Sequence, residues 1–202
     1  MKFSGARVAS FAVPLGLGLL LGLTGPVAEQ WGGRPGTAVG AVFTGGWPWA
    51  CYAFLVGYFR RSKIESAVLA SLGLAIGVVT YYLVKGILAS LGGLYSSGAS
   101  SSGIALWGLL AFIFGAPVGL LGNLAQAPGI GGLFFRLLVP LVAFYETSAR
   151  LEAESHGTSQ LVLGTWTTVR FTAVAIAIAM VGHTVWGWWR SRRIRSAGVG
   201  VG

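Results

Sequence analysis

Six apolar runs dominate this chain, at residues 8–28, 37–59, 66–89, 104–125, 130–149 and 167–189. A transmembrane helix needs ~20 mostly apolar residues, so each run is long enough to cross a bilayer. The pattern predicts an all-α, polytopic transmembrane helical bundle of about six spans, built as one integral membrane domain over residues 1–202. Polar residues gather between the runs. Lys2 and Arg7 precede the first, "RRSK" (Arg60 to Lys63) joins the second to the third, and "RSRRIR" (Arg190 to Arg195) opens a basic tail over 190–202. With six spans all three clusters fall on one side, which the positive-inside rule makes cytoplasmic. Both termini are therefore expected in the cytoplasm, in a multi-pass protein of the cell membrane.

The opposite side receives the loops 30–36, 92–103 and 150–166. The Gly/Ser-rich "GGLYSSGASSSG" predicts a mobile connection. In "ETSARLEAESHG", Glu146, Arg150 and Glu154 stand four residues apart, which predicts a helix continuing beyond the membrane.

Composition narrows the class. The chain is 54% hydrophobic and 9% charged, with a mean hydropathy of +0.75, against about a quarter charged in soluble domains. Fourteen Lys and Arg face five acids. In a soluble protein that excess would suggest nucleic acid. Here it sits at the ends of apolar runs and sets topology, so no nucleic-acid partner is expected. The single cysteine, Cys51, lies within a run and is expected to pack. Lys2 and Arg7 before an apolar run imitate a secretory signal, yet the first run can span on its own and cleavage is not expected.

Glycine recurs three or four residues apart in "GLGLLLG", "GLAIGVV" and "GIALWGLLAFIFG", spacing that lets helices approach closely. Pro26 and Pro117 occupy the first and fourth spans, and Pro48 and Pro140 the second and fifth. Kinks account for them, and a three-plus-three inverted repeat is the alternative.

The chain lacks a Gly-rich phosphate loop, paired cysteines, Gly-x-Ser-x-Gly and a His pair at metal-ligand spacing. It has no Asp, which excludes an Asp-rich motif holding diphosphate through magnesium. No metal and no cofactor are expected. What remains are ionisable groups at or near membrane depth: Glu29, Lys85, Glu146 and Arg170, with Arg34, Arg150, Glu152, Glu154 and His156 beyond them. Charges within a span normally face a bundle interior or cavity. Glu29, Lys85 and Glu146 are predicted at one depth, where they can share an outward cavity. The plainer account is that Lys85 and Arg170 snorkel while the acids form interfacial ion pairs. Glu65 suits the first turn of the third helix, and Arg136 and His183 suit anchoring or packing.

Aromatic residues accompany these acids: Trp31 near Glu29, Trp47, Trp49 and Tyr52 in "GGWPWACYAF", Tyr81 and Tyr82 before Lys85, and Tyr145 beside Glu146. Trp and Tyr collect at membrane interfaces anyway, which explains "WGWW" (Trp186 to Trp189). Aromatic faces also stabilise cations, by ~0.5 to 2 kcal/mol each. A carboxyl group in lipid-like surroundings tends to stay protonated. Such an acid can protonate an alkene or open an epoxide while an aromatic wall shelters the carbocation.

The strings "GLGLLLGLTGPVAEQ" and "WPWACYAFLVGYFRR", with the "YE" near the end of the fifth span, resemble a group of small six-span actinobacterial membrane proteins. Some of these are membrane-bound terpene cyclases of the indole sesquiterpenoid and meroterpenoid type. The resemblance implies a metal-independent, proton-initiated cyclase whose paired acids are Glu29 and Glu146. It also implies a prenylated aromatic substrate, such as a farnesyl indole or its epoxide. Trp31, Trp47, Trp49, Tyr52, Tyr81, Tyr82, Lys85 and Tyr145 are the expected substrate-binding set. Similar fungal enzymes use an Asp as one acid, and this chain has none. The alternatives are a small-solute transporter or substrate-binding membrane subunit, and a noncatalytic membrane protein. The partners expected are a lipophilic small molecule and the bilayer, and the sequence fixes no oligomeric state.

Overall fold

The computed structural model describes residues 3–91, 101–153 and 158–198, and they form eight helices with no strand among them. These are α1 (Phe3–Trp31), α2 (Gly33–Phe43), α3 (Trp47–Tyr58), α4 (Lys63–Leu91), α5 (Ser101–Leu124), α6 (Ile130–Arg136), α7 (Leu138–Ala153) and α8 (Gln160–Gly198). Five stretches are long and apolar enough to cross a membrane, and a sixth is added if the bent pair α2 and α3 counts as one. The chain is thus an all-helical, multi-pass membrane protein by length and composition. Glu154, His156 and most of the Gly/Ser-rich loop lie outside the described residues.

The centre of the bundle is α4, which packs against α1, α3 and α5. Lipid tails are as apolar as leucine, so close packing has to supply what the hydrophobic effect cannot. A Cβ on Gly18 would strike the carbonyl of Gly73, and one on Gly22 the carbonyl of Gly77. The glycine strings predicted to permit close approach are therefore the surfaces that meet. These pairings also run α1 and α4 in the same direction. At one end the Arg60 guanidinium, just before α4, donates to the hydroxyl and carbonyl of Ser10 in α1. Pro14 has no N–H, which leaves that carbonyl without its helical partner. At the other end Lys85 meets Glu29. Because α1 and α4 are parallel, α2 and α3 together must carry the chain back over the height between them.

Asn123 and Gln126 both donate to the Arg60 carbonyl, which ties the end of α5 to the same level. Arg136 donates to the carbonyls of Ala125 and Ala127 at 2.8 and 3.2 Å and fixes α6 there too. This end also holds Arg61 and Lys63 and is called the basic end below.

The second predicted span is not one helix. It breaks at Thr44–Gly46, and its halves are bent by 64°. Two adjacent glycines and Pro48, in the first turn of α3 where its missing N–H costs nothing, account for the break. The fifth run is one candidate span over Ile130–Ala153, in which α6 and α7 meet at Leu137 with helical hydrogen bonds on both sides and Pro140 in the first turn of α7. The last run becomes a helix of 39 residues, starting seven residues before the predicted span at 167.

Candidate functional site

A helix broken at membrane depth exposes N–H and C=O groups that lipid cannot satisfy. In this protein four of them are met by the side chains of Glu146, Arg150 and Trp49. Glu146 of α7 accepts from the Gly46 N–H at 2.7 Å and the Trp47 N–H at 2.8 Å, one on each carboxylate oxygen, so it caps α3. The positive end of the α3 dipole adds to this attraction. On the other half, the Trp49 indole N–H donates to the Phe43 carbonyl at 3.2 Å, and Arg150 donates to the Thr44 carbonyl at 3.0 Å. Arg150 also pairs with Glu146 at 3.3 Å and stacks over the Trp166 ring at 5.6 Å. The two charges together hold both sides of the break.

The break forms one wall of a cavity of about 720 Å³. Phe43 to Gly46 and Trp49 face Leu74, Val78, Tyr81, Tyr82 and Lys85 of α4, and Trp107, Leu110, Ala111 and Phe114 of α5 close the third side. Trp107 and Phe114 are 50% and 59% exposed, so the cavity opens sideways onto the outer surface of the bundle. Its rings are set edge to face: Trp49 to Tyr81 at 5.9 Å and Tyr81 to Tyr82 at 5.4 Å. Its polar end is Lys85, whose ammonium lies 3.5 Å from the Tyr81 hydroxyl and 5.6 Å from the centre of that ring. The same ammonium bridges to Glu29 at 3.5 Å.

Glu29 itself faces a second hollow of about 470 Å³, which it shares with Thr37, Thr44, Arg150 and Trp166. This hollow lies across α2 from the aromatic cavity, and Thr44 borders both. The expected meeting of Glu29, Lys85 and Glu146 is therefore divided. Lys85 pairs with Glu29 and Arg150 with Glu146, and Glu29 and Arg150 line the same hollow.

Of the aromatic residues predicted to bind substrate, Trp49, Tyr81 and Tyr82 line the aromatic cavity with Lys85. Trp47 lines a different hollow, between α3, α7 and α8. Tyr52 is buried in the core, donating at 2.6 Å to the Pro14 carbonyl. Trp31 and Tyr145 point outward, 77% and 76% exposed. Arg170 lies over the ring of its neighbour Phe171. The cavity walls Phe43, Trp107 and Phe114 escaped the sequence because they stand apart from any ionisable neighbour. The role of Arg150 was half visible in its spacing from Glu146, whereas nothing near Trp166 in sequence signals its place under Arg150.

No protein-family model, curated protein or solved structure matches this chain.

Proposed function

We propose that this chain is a membrane-bound cyclase that takes a prenylated aromatic from the bilayer into the aromatic cavity and closes a ring by opening a terminal epoxide. One observation carries it: a cavity of about 720 Å³, open to the side of the bundle, walled by rings and equipped with hydroxyl and ammonium donors at one end. Small-molecule sites of this kind are mostly apolar and span ~300–1,000 Å³. A lipophilic substrate matches both the wall and the direction of entry.

The donors favour an epoxide over an alkene. Protonating an alkene takes a strong, unpaired acid. Glu146 instead accepts from two backbone N–H groups and Arg150, and Glu29 is paired with Lys85. An epoxide oxygen needs only a hydrogen-bond donor that yields its proton as the ring opens. Tyr81, with Lys85 beside it, is that donor. The C–O bond breaks towards oxygen, the oxygen takes the Tyr81 proton, and the carbocation is captured by a substrate double bond while Trp49, Tyr82 and Trp107 shelter it. Lys85 returns a proton to Tyr81 and takes up the one that the final cation loses, so the enzyme is restored and the product is an isomer of the substrate. Glu29 then acts by holding Lys85, and Glu146 by holding the wall of the cavity.

In this proposal the α2–α3 pair counts as one crossing, giving six, with the basic end in the cytoplasm. One observation favours a transporter instead. Discontinuous helices mark substrate sites in many secondary transporters, and α2 and α3 are such a pair.

The test incubates membranes containing the protein with 3-farnesylindole and with its terminal epoxide, followed by mass spectrometry for isomeric products. Cyclised product is expected from the epoxide, at least ~10²-fold less with Tyr81→Phe, in the range that general acids contribute. Correctly inserted protein that leaves both compounds unchanged, yet accumulates a solute in vesicles, would establish the transporter.

A further inference from the structure

The hollow that Trp47 lines, of about 500 Å³, lies between α3, α7 and α8, and a smaller one of about 290 Å³ adjoins it. The two share Arg136, Ile176 and Met180, so they form one groove. α8 packs chiefly on α7 and α2 and leaves a gap facing α3. The α3 wall runs from Trp47 to Tyr58, 12 residues. At 1.5 Å per residue this is ~17 Å, close to half the ~30 Å hydrocarbon thickness of a bilayer. The groove thus has the height of one leaflet.

Its two ends differ. Along α3 the wall is apolar, whereas at the basic end it finishes in Arg136, His183 and Thr184. Arg136 is fixed in place by its two bonds to the carbonyls of Ala125 and Ala127. No acidic residue lines either hollow, so Arg136 is the charged group of the groove. An apolar slot of leaflet height ending in a guanidinium and an imidazole has the chemistry of a lipid tail joined to an anionic headgroup.

We propose that this groove binds one anionic glycerophospholipid, with an acyl chain laid along α3 between α7 and α8 and the phosphate held by Arg136 and His183. The lipid seals the gap that α8 leaves and couples α8 to the rest of the bundle. The site is separate from the aromatic cavity, so its occupancy does not depend on the cyclase proposal.

The experiment extracts the full-length protein from bilayers holding equal phosphatidylglycerol and phosphatidylcholine and counts retained lipids by native mass spectrometry. One phosphatidylglycerol per chain is expected, favoured over phosphatidylcholine by about tenfold, the scale of one or two basic contacts. Arg136→Gln is expected to remove most of that preference and His183→Ala part of it. Arg136 also ties down two carbonyls, so Ile176→Trp provides a second arm, since it blocks the junction of the two hollows and leaves every charge in place. It is expected to lower retention of both lipids. Equal retention of the two lipids by the native chain would overturn the proposal. So would a phosphatidylglycerol adduct that survives both Ile176→Trp and His183→Ala, or a lipid-free dimer, which would assign the groove to a second copy of the chain.

Discussion

Glu146 stands where the backbone of α3 begins, and its carboxylate accepts from the Gly46 and Trp47 N–H groups and from Arg150. Hydrogen bonds to a charged group contribute ~1.5–3 kcal/mol each, more than neutral ones. Glu146→Gln keeps the shape but replaces one acceptor oxygen with an NH2 that faces an N–H. The expected result is a loss of about 2–3 kcal/mol, read as a lower thermal midpoint by tryptophan fluorescence in detergent. A variant that unfolds like the native protein but makes no product would return Glu146 to the role of proton donor. The sequence pointed to this residue, since a carboxyl group amid apolar residues needs a reason. It misled on what stands beside it. Tyr145 and Glu146 adjoin in sequence, yet successive helical residues point ~100° apart, so one faces out and the other reaches the break. Tyr52 teaches the same lesson, because its ring lies three residues from Trp49 but its hydroxyl serves the core.

At the scale of elements, hydropathy found helices long and apolar enough to cross a bilayer, because burial in lipid demands uninterrupted apolar length. It passed over the break at Thr44–Gly46 because a window of that length averages across a few residues. The signs were present as "GGWP", two glycines ahead of a proline near the start of a helix. The glycine strings were legible for a different reason: small residues on one face have a use only where another helix comes close. Position within a string still matters. Gly16 has open space where its Cβ would go, whereas a Cβ on Gly18 would meet the Gly73 backbone and the Tyr52 hydroxyl. Gly16→Ala is expected to be neutral or to stabilise by up to ~1 kcal/mol, the helical cost of glycine relative to alanine. Gly18→Ala is expected to destabilise by ~1–3 kcal/mol, as overpacking does. Unfolding both variants in parallel by titration with sodium dodecyl sulfate separates packing from propensity. Equal midpoints would mean that α1 and α4 do not meet at these glycines.

For the whole molecule, the number of crossings decides which ends face the same compartment, and the bent pair is what makes it uncertain from composition. A pair bent by 64° can dip into a bilayer and return, giving five crossings, or continue through it, giving six. Two ties bear on the choice. Arg60 binds Ser10 near the start of α1, and Lys85 binds Glu29 near its end, so α1 and α4 are parallel. A returning pair would start α4 from the end of the bundle where α1 finishes, which makes the two helices antiparallel. The six crossings proposed above agree with that contact pattern, and under the positive-inside rule they would put Arg60 to Lys63 and the basic run Arg190 to Arg195 on one side, the cytoplasmic one. The chain has a single cysteine, so Cys51→Ser gives a clean background for labelling. Single cysteines at Ser62, Ser159 and Ser196 can then be challenged in intact cells with a membrane-impermeant maleimide. Ser159→Cys is expected to react, and Ser62→Cys and Ser196→Cys only after the membrane is opened. Five crossings would put residue 62 outside, and its labelling in intact cells would remove both the six-span topology and the parallel pairing of α1 with α4 on which the cavity depends.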